Sequence, residues 1–340
     1  MSYQHPHPER AHVHYPFVGI PTFLRSAFCT DPEKLDADIA IMGAPTDEGS
    51  PYMPGSRFGP RGIREHSMRF GTRGPGIYDP QTQRLYLEHE MAHGRIADAG
   101  DAAVLPTNVV DTFHNITALT RTLLDRGALP VVLGGDHAIS FPVVRAFSEP
   151  LHVVHFDAHL DYAPFIHGLE MTNGHAFRHI TKMPHVRSLT QIGIRSLRNT
   201  RDTIEDSMRD GNRVLTMQDF QDVTWRGVVE ALPRDAKVYV SIDVDVLDMP
   251  LVPGCVSAEP NGMTYAQLRD TFTALAEHTE VIGFDLVEVN PLLDIPTGIT
   301  SYLAAHMVIE FLGRICDQSR WKAARDARAA KRAAAAEQSR

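Results

Sequence analysis

A chain of 340 residues, 43% hydrophobic and 22% charged, can bury a core large enough to enclose a catalytic site, in one large α/β domain or two average ones. A formal net charge of −9, with no long basic stripe through the body of the chain, argues against a nucleic-acid binder and is compatible with a cationic substrate. Cys29, Cys255 and Cys316 are too few and too widely spaced for a disulfide framework or a CxxC zinc site, which fits a reducing, cytoplasmic setting; no apolar leader and no membrane-length apolar run is expected.

Residues 1–36, dense in Pro, His and aromatic residues, read as an irregular N-terminal arm. His5, His7, His12 and His14 match no compact ligand spacing, so a solvated or subunit-contacting arm is the better account of them. The texture changes at Ala37, where ADIAIMGAP, an apolar run closed by Gly and Pro, predicts a buried strand. Further strands are predicted at Val131–Gly135, Leu151–His159, Leu189–Ile194, Lys237–Asp245 and Val281–Val289. Helix-like stretches lie between them at Val109–Arg126, Ala138–Phe147, Thr200–Arg209, Thr264–His278 and Thr300–Cys316. Strands alternating with helices imply a parallel sheet covered on both faces, and residues 37–318 show no repeat or interior linker that would split them. Residues 319–340, rich in Ala and Arg, have helix propensity but little to bury, and read as a frayed, solvated basic tail.

Three strand ends carry the chemistry: Gly134-Gly135-Asp136-His137, His155-Phe156-Asp157-Ala158-His159-Leu160-Asp161, and Ser241-Ile242-Asp243-Val244-Asp245 running on to Asp248. Side chains two apart on a strand share a face, so Asp157, His159 and Asp161 can converge at one strand end and Asp243 and Asp245 at another. His137 closes a third, after a Gly-Gly pair that permits a sharp turn. Parallel sheets bind ligands beyond these carboxyl ends. Four grouped carboxylates repel one another unless cations are present, and two divalent ions would balance them. Oxygen-rich ligation with two imidazoles suits Mn²⁺, then Ni²⁺, Co²⁺ or Fe²⁺, and suits Zn²⁺ less. Two such ions, ~3.5–4 Å apart, could share a bridging water and lower its pKa toward ~7. A lone DxD is usually a turn and a lone strand-end His is usually structural; three such elements together are not.

These residues resemble the ureohydrolase family of arginases, agmatinases and guanidino-acid hydrolases. The family's GGDH, DAHxD and SxDxDxxDPxxxPG signatures stand here as GGDHAIS, FDAHLDY and SIDVDVLDMPLVPG, the last with Met249 before Pro250. PGSRFGPRGIR at Pro54–Arg64 and GFDLVEVNPLLD at Gly283–Asp294 extend the likeness over nearly the whole chain. The resemblance implies a three-layer α/β/α fold around an eight-stranded, mainly parallel sheet, two Mn²⁺ ions per chain, a small guanidino substrate and a homo-oligomer, often trimeric or hexameric. Residue by residue it gives one ion to His137 and Asp161 and the other to His159 and Asp245, with Asp157 and Asp243 bridging. Glu288 matches the glutamate that pairs with the substrate guanidinium, a planar cation suited to paired hydrogen bonds from a carboxylate. A bridging hydroxide would attack the guanidinium carbon, and a proton must then reach the leaving amine.

The proton step departs from the family pattern. Agmatinase-like members carry a segment resembling HGTPFR; here it is Asn173-Gly174-His175-Ala176-Phe177-Arg178, with Asn173 at the family's His position. His175 is the preferred shuttle or pocket-shaping residue and His167 a further candidate, while Asn173 and Glu288 are assigned to substrate binding. Asp47 and Glu48 are expected either to read a cationic substrate tail or to cap a helix, and Arg57 to brace a loop or subunit contact. A non-arginine substrate is favoured because the GNLHG-like segment of arginases is absent, and an atypical guanidine or biguanide hydrolase, nickel-dependent or paired with a paralogous subunit, stays open. The competing readings are a deacetylase-like enzyme with one zinc and a regulatory paralogue without activity.

Overall fold

The computed structural model of the protein describes residues 15–72 and 74–338, so the early histidines His5, His7, His12 and His14 lie outside the described residues. In chain order the elements are β1 (Ala27–Phe28), β2 (Ile39–Ala44), α1 (Gly59–Ser67), β3 (Ile77–Asp79), β4 (Arg84–Tyr86), α2 (Glu88–Ala92), β5 (Ile96–Asp101), α3 (Val109–Asp125), β6 (Leu129–Gly134) and α4 (Ser140–Val144). There follow β7 (Leu151–Phe156), α5 (Ala176–Ile180), β8 (Val186–Ile194), α6 (Arg201–Arg209), β9 (Arg213–Thr216), α7 (Met217–Glu230), β10 (Lys237–Asp243), α8 (Tyr265–His278), β11 (Glu280–Val287), α9 (Ile299–Cys316) and α10 (Ser319–Gln338).

Nine strands form one parallel sheet in the order β1-β5-β2-β6-β11-β10-β7-β8-β9, and β3 and β4 make a separate antiparallel hairpin. The ninth strand, beyond the eight expected, is the two-residue β1, whose Ala27 and Phe28 pair with Ala97 and Asp98 at the sheet edge. Part of the N-terminal arm is therefore docked: the Phe23 N–H donates to Asp98 Oδ2 at 2.9 Å, and Arg64 clasps the same carboxylate through Nε and Nη2 at 2.8 and 2.9 Å.

Strand alternation builds two cores. Ile39 and Ile41 of β2, Val238, Val240 and Ile242 of β10, and Phe284 and Leu286 of β11 face α1, α7, α8 and α9. Ala40, Met42, Tyr239 and Val287 face the opposite layer of α3, α4 and α5. The second half of the predicted Ala138–Phe147 helix survives only as α4, because His137–Ile139 forms a tight 3₁₀ turn capped by Asp136, whose side chain accepts the Ala138 N–H.

Contrary to the expectation of no membrane-length apolar run, helix α9 is long and apolar enough to cross a membrane by composition; 72% of it is buried against the sheet and neighbouring helices, as befits a core helix. The tail also differs from the solvated helix expected. In α10, Trp321 is buried and its N–H donates to Glu90 Oε1 at 2.9 Å, while Arg328 Nε and Arg332 Nη1 meet Asp38 Oδ1 at 2.9 and 3.1 Å. Ion pairing to a buried aspartate and one aromatic anchor dock a helix that has little other apolar surface.

Candidate metal centre

The four central strands, β6-β11-β10-β7, end side by side. Their carboxyl ends deliver His137 after β6, Glu288 after β11, Asp243 at the end of β10 and Asp157 after β7 to one place. Two backbone devices fix the arrival. Gly135 lies so close to the loop after β2 that a Cβ would stand 1.8 Å from the Thr46 carbonyl oxygen. Asp161 and Glu288 adopt left-handed φ values of 47° and 64°, a strained state for non-glycine residues that turns both carboxylates back toward the strand ends.

The six residues expected as ligands converge in two half-sites that share Asp157. His137 Nδ1 lies 3.0 Å from Asp157 Oδ2, 3.2 Å from Asp161 Oδ2 and 3.3 Å from Asp243 Oδ2. His159 Nδ1 lies 3.2 Å from Asp157 Oδ1 and 3.0 Å from Asp245 Oδ2. Two of the other carboxylate oxygens are held by the backbone: Asp245 Oδ1 accepts the Ala158 N–H at 2.9 Å and Asp243 Oδ1 the Asp245 N–H at 2.8 Å.

Bonds behind the cluster fix which atoms face it. Ser241 Oγ donates its one proton to Asp285 Oδ1 at 2.7 Å, so it can only accept from His137 Nε2, 2.9 Å away. In the neutral imidazole, the form that can hold a metal, Nδ1 is then a buried lone pair without a hydrogen-bond partner, facing three carboxylates. Such an atom suits a cation, and the oxygen-rich surroundings suit a hard or borderline divalent metal. His155 is set by the same logic. The Gln191 carbonyl accepts from Ser207 Oγ at 2.7 Å, so its amide N–H faces His155 Nδ1 at 3.1 Å, and His155 Nε2 donates to Asp157 Oδ2 at 2.8 Å. Stacking on Phe177, 3.6 Å between ring centroids, locks the imidazole, and burial pushes its pKa down to about 4, so it is neutral.

The electrostatics also call for cations. Burial opposes charge on His159, yet Asp245 and Asp157 outweigh it and push the imidazole up to about 12. His137 stands well above its ordinary value, since Asp157, Asp161 and Asp243 overcome its burial. Burial and then neighbouring carboxylates raise Asp243, Asp245 and Asp161. Asp157 goes the other way: contacts from His137 and His155 overcome burial and hold it well below the usual range. Both imidazoles and three of the four carboxylates shift toward holding a proton, the response of a crowded anionic cluster that positive charge, from protons or from metal ions, would relieve.

Glu288, Asp161 and Asp243 face a cavity of about 470 Å³ that opens past Asn173, Gly174, Pro51, Ile166 and Arg198. Glu288 Oε1 accepts the His137 N–H at 3.0 Å and meets Asn173 Nδ2 at 3.4 Å, whereas its buried Oε2 has no partner. Burial pushes Glu288 up to about 7 against the opposing pull of the His137 N–H. His175 is placed differently from a residue reaching the cavity: Nδ1 is bonded to Thr172 Oγ1 at 2.7 Å and Nε2 to the Pro164 carbonyl at 3.3 Å. His167 is exposed on the short turn bridged by Ile166 and Leu169. Of the two roles expected of Asp47 the structure favours capping: its Oδ2 accepts the Gly55 and Arg57 N–H groups at 2.6 and 3.1 Å, at the start of the 3₁₀ turn Ser56–Phe58 that leads into α1, and its Oδ1 accepts from the Arg57 side chain. Glu48 accepts the Thr107 N–H at 2.8 Å.

Sequence reasoning passed over His155, although it lies two residues before Asp157 and hence on the same strand face. It also passed over Asp285, two places along β11 from Val287, and Arg195, whose Nη2 holds the Asp245, Leu247 and Glu259 carbonyls at 2.7, 3.1 and 2.9 Å and so steadies the loop after β10. Cys255 lies with Asp243 and Asp245 in a group whose ligand atoms are within 4.8 Å of one another.

Comparison with known proteins agrees in extent with the motifs. Residues 37–313 match the profile of the arginase family. The proclavaminate amidinohydrolase of Streptomyces clavuligerus is 32% identical over 314 residues, covering 89% of this chain and 95% of that protein. The human mitochondrial guanidino acid hydrolase is 34% identical over 303 residues, covering 87% of this chain and 82% of the relative. The solved structure of the Streptomyces enzyme superposes with a TM-score of 0.76 at 29% identity, covering 88% of this chain and 98% of that one.

Proposed function

The chain belongs to the arginase family, and from that premise we propose that it is a binuclear metal hydrolase that cleaves the linear amidine C–N bond of a small guanidino compound. The observation that carries this reading is the unpartnered, buried Oε2 of Glu288, a residue of strained backbone that lines the same cavity as His159, Asp161 and Asp243 of the cluster. An anionic acceptor beside a cation-holding cluster suits a planar cation whose central carbon is the electrophile.

The ligand assignment within this proposal gives one ion to His137 and Asp161, the other to His159 and Asp245, and places Asp157 and Asp243 between them. Asp157 supports its part, with Oδ1 toward His159 and Oδ2 toward His137. Two imidazoles in separate half-sites favour two ions over the single zinc of a deacetylase-like site. Mn²⁺ fits the oxygen-rich set best and Ni²⁺ next. When bound, the pair supplies Lewis acidity to an attacking water.

The chain's own residues do the rest. Glu288 Oε2 accepts from the guanidinium and fixes the plane of its carbon. Asn173 steadies Glu288 through Oε1 and lines the same wall. Water adds to the guanidinium carbon, the bond to the tail nitrogen breaks, and urea and a protonated amine leave. His175 is a positioning residue in this account, tying Thr172 to Pro164 so that Asn173 and Gly174 keep their place. Assembly into a homo-oligomer, trimeric or hexameric, belongs to the same proposal; sedimentation of the purified chain tests it, and full activity of that preparation excludes an obligatory paralogous partner.

The test is a urea-release screen over guanidinobutyrate, guanidinopropionate, agmatine, free guanidine and a biguanide, run with Mn²⁺ and with Ni²⁺. Metal-dependent urea from at least one of them is expected. Turnover of none, or removal of an acetyl group instead, overturns the proposal.

A further inference from the structure

We infer that the substrate carries a carboxylate at the far end of its tail and that Arg198 reads it. The inference rests on the guanidino-hydrolase reading above and names which members of that substrate class fit.

Arg198 lines the cavity beside His159, and its side chain is 61% exposed. It is held, not loose. Nε and Nη2 each donate to Glu259 Oε1 at 3.2 Å, and Nη2 also lies 3.1 Å from the Ser257 carbonyl and 2.6 Å from His159 Nε2, so the guanidinium sits directly against the outer edge of the cluster. Glu259 is fixed in turn by Ser196 Oγ at 2.6 Å. Among the described residues Nη1 makes no hydrogen bond, so a braced guanidinium presents a free N–H edge toward open space. With Nε and Nη2 engaged, the two N–H groups of Nη1 remain to donate charge-assisted hydrogen bonds to a carboxylate.

The neighbouring wall has the same polarity. Helix α6 begins at the cavity: Asn199, Thr200 and Thr203 line it, and Thr200 Oγ1 caps the Thr203 N–H at 3.2 Å. The positive end of that helix adds to the field of Arg198. The acids that could reverse it are mostly spent. Asp206 is paired with Arg178 and Arg209 at 2.9 and 2.7 Å, and Asp47 and Glu48, offered by the sequence as readers of a cationic tail, are bonded elsewhere. Asp202 is the exposed acid of this wall, and it sits in the first turn of α6, where a carboxylate complements the helix end. A cationic tail would have to reach Asp202 past the repulsion of the braced Arg198.

The experiment compares 4-guanidinobutyrate with agmatine, which differ mainly in the sign of the tail charge, in the metal-loaded enzyme and its Arg198→Glu and Asp202→Asn variants. Calorimetric binding of the unreactive tails, 4-aminobutyrate and 1,4-diaminobutane, is measured alongside. The wild type is expected to prefer the acid. Arg198→Glu should lower kcat/KM for the acid by about 10–100-fold, the loss of a hydrogen bond to a charged group, chiefly through KM, and shift the ratio toward agmatine. Asp202→Asn should leave the acid preference in place or strengthen it. A wild type that prefers agmatine, an Arg198→Glu ratio within threefold of wild type, or loss of discrimination in Asp202→Asn overturns the inference. Absence of urea from every compound would sink the hydrolase reading separately, and calorimetry would still decide whether Arg198 binds the acid.

Discussion

His155 gives the sharpest test of how the centre is built. Replacing it by Leu keeps a buried side chain against Phe177 and removes the Nε2–H held 2.8 Å from Asp157 Oδ2; it also removes the Nδ1 acceptor of the Gln191 amide, which keeps its bond to the Leu160 carbonyl at 2.6 Å. Asp157 is the one carboxylate that faces both histidines, so its orientation governs both half-sites. A hydrogen bond to a charged acceptor contributes about 1.5–3 kcal/mol, and at about 1.36 kcal/mol per decade its loss weakens metal binding by about 10–150-fold. That agrees with the 10–100-fold typical of partners behind a metal ligand. The assay is competition between the protein and a chelator of known affinity, with bound metal counted per chain and thermal unfolding of the metal-free variant as the control for folding. His155→Gln, which restores a donor, should recover part of the loss. A folded His155→Leu chain that holds its ions within threefold of wild type would refute the reasoning.

Other consequences follow from the same geometry. Glu288→Gln should lower kcat/KM by about 10²-fold or more by removing a buried charge that pairs with the guanidinium, while metal content stays at the wild-type level, read by elemental analysis. The same variant isolates a pH effect in the metal-free protein. Folded Glu288 titrates near 7, raised by burial above its ordinary 4.5, so the folded state binds a proton the unfolded state has lost. The wild type should therefore lose stability relative to Glu288→Gln as pH rises from about 4.5 through about 7, read by urea unfolding, and a constant difference would contradict the assignment. His175→Ala should lower the unfolding temperature and cut turnover by less than about tenfold, because both ring nitrogens serve the loop; a loss of about 10²–10⁴-fold would instead mark a proton shuttle.

The strands that build the centre were legible because each is a fully buried apolar run closed by its functional residues: Val131, Leu133, Val153 and Val240 are all inaccessible to solvent. Strands away from the centre were not. IADAGD of β5 carries little apolar bulk, and RVLT of β9 is a four-residue edge strand, so neither stands out by hydrophobicity. Helix α7 has a polar first half and a non-helical Thr224, which blur its period. The docking of α10 depends on Asp38, nearly 300 residues away, a contact no local pattern encodes. Within the site, ligand types and spacing marked the six cluster residues. The role of His175 was not readable in that way, since it depends on which carbonyl lies beside a loop imidazole. Arg198 was hidden for the same reason: its neighbours Ser257 and Glu259 come from a different segment.

The central claim is that two ions, not one, serve a guanidino hydrolase. The direct measurement is titration of metal-free protein with Mn²⁺, recording bound ions per chain and urea release from 4-guanidinobutyrate at each step. The account predicts that urea release climbs until two ions are bound per chain and then levels off. Full activity with one bound ion, or binding of a single ion with no urea at any metal concentration, would contradict it.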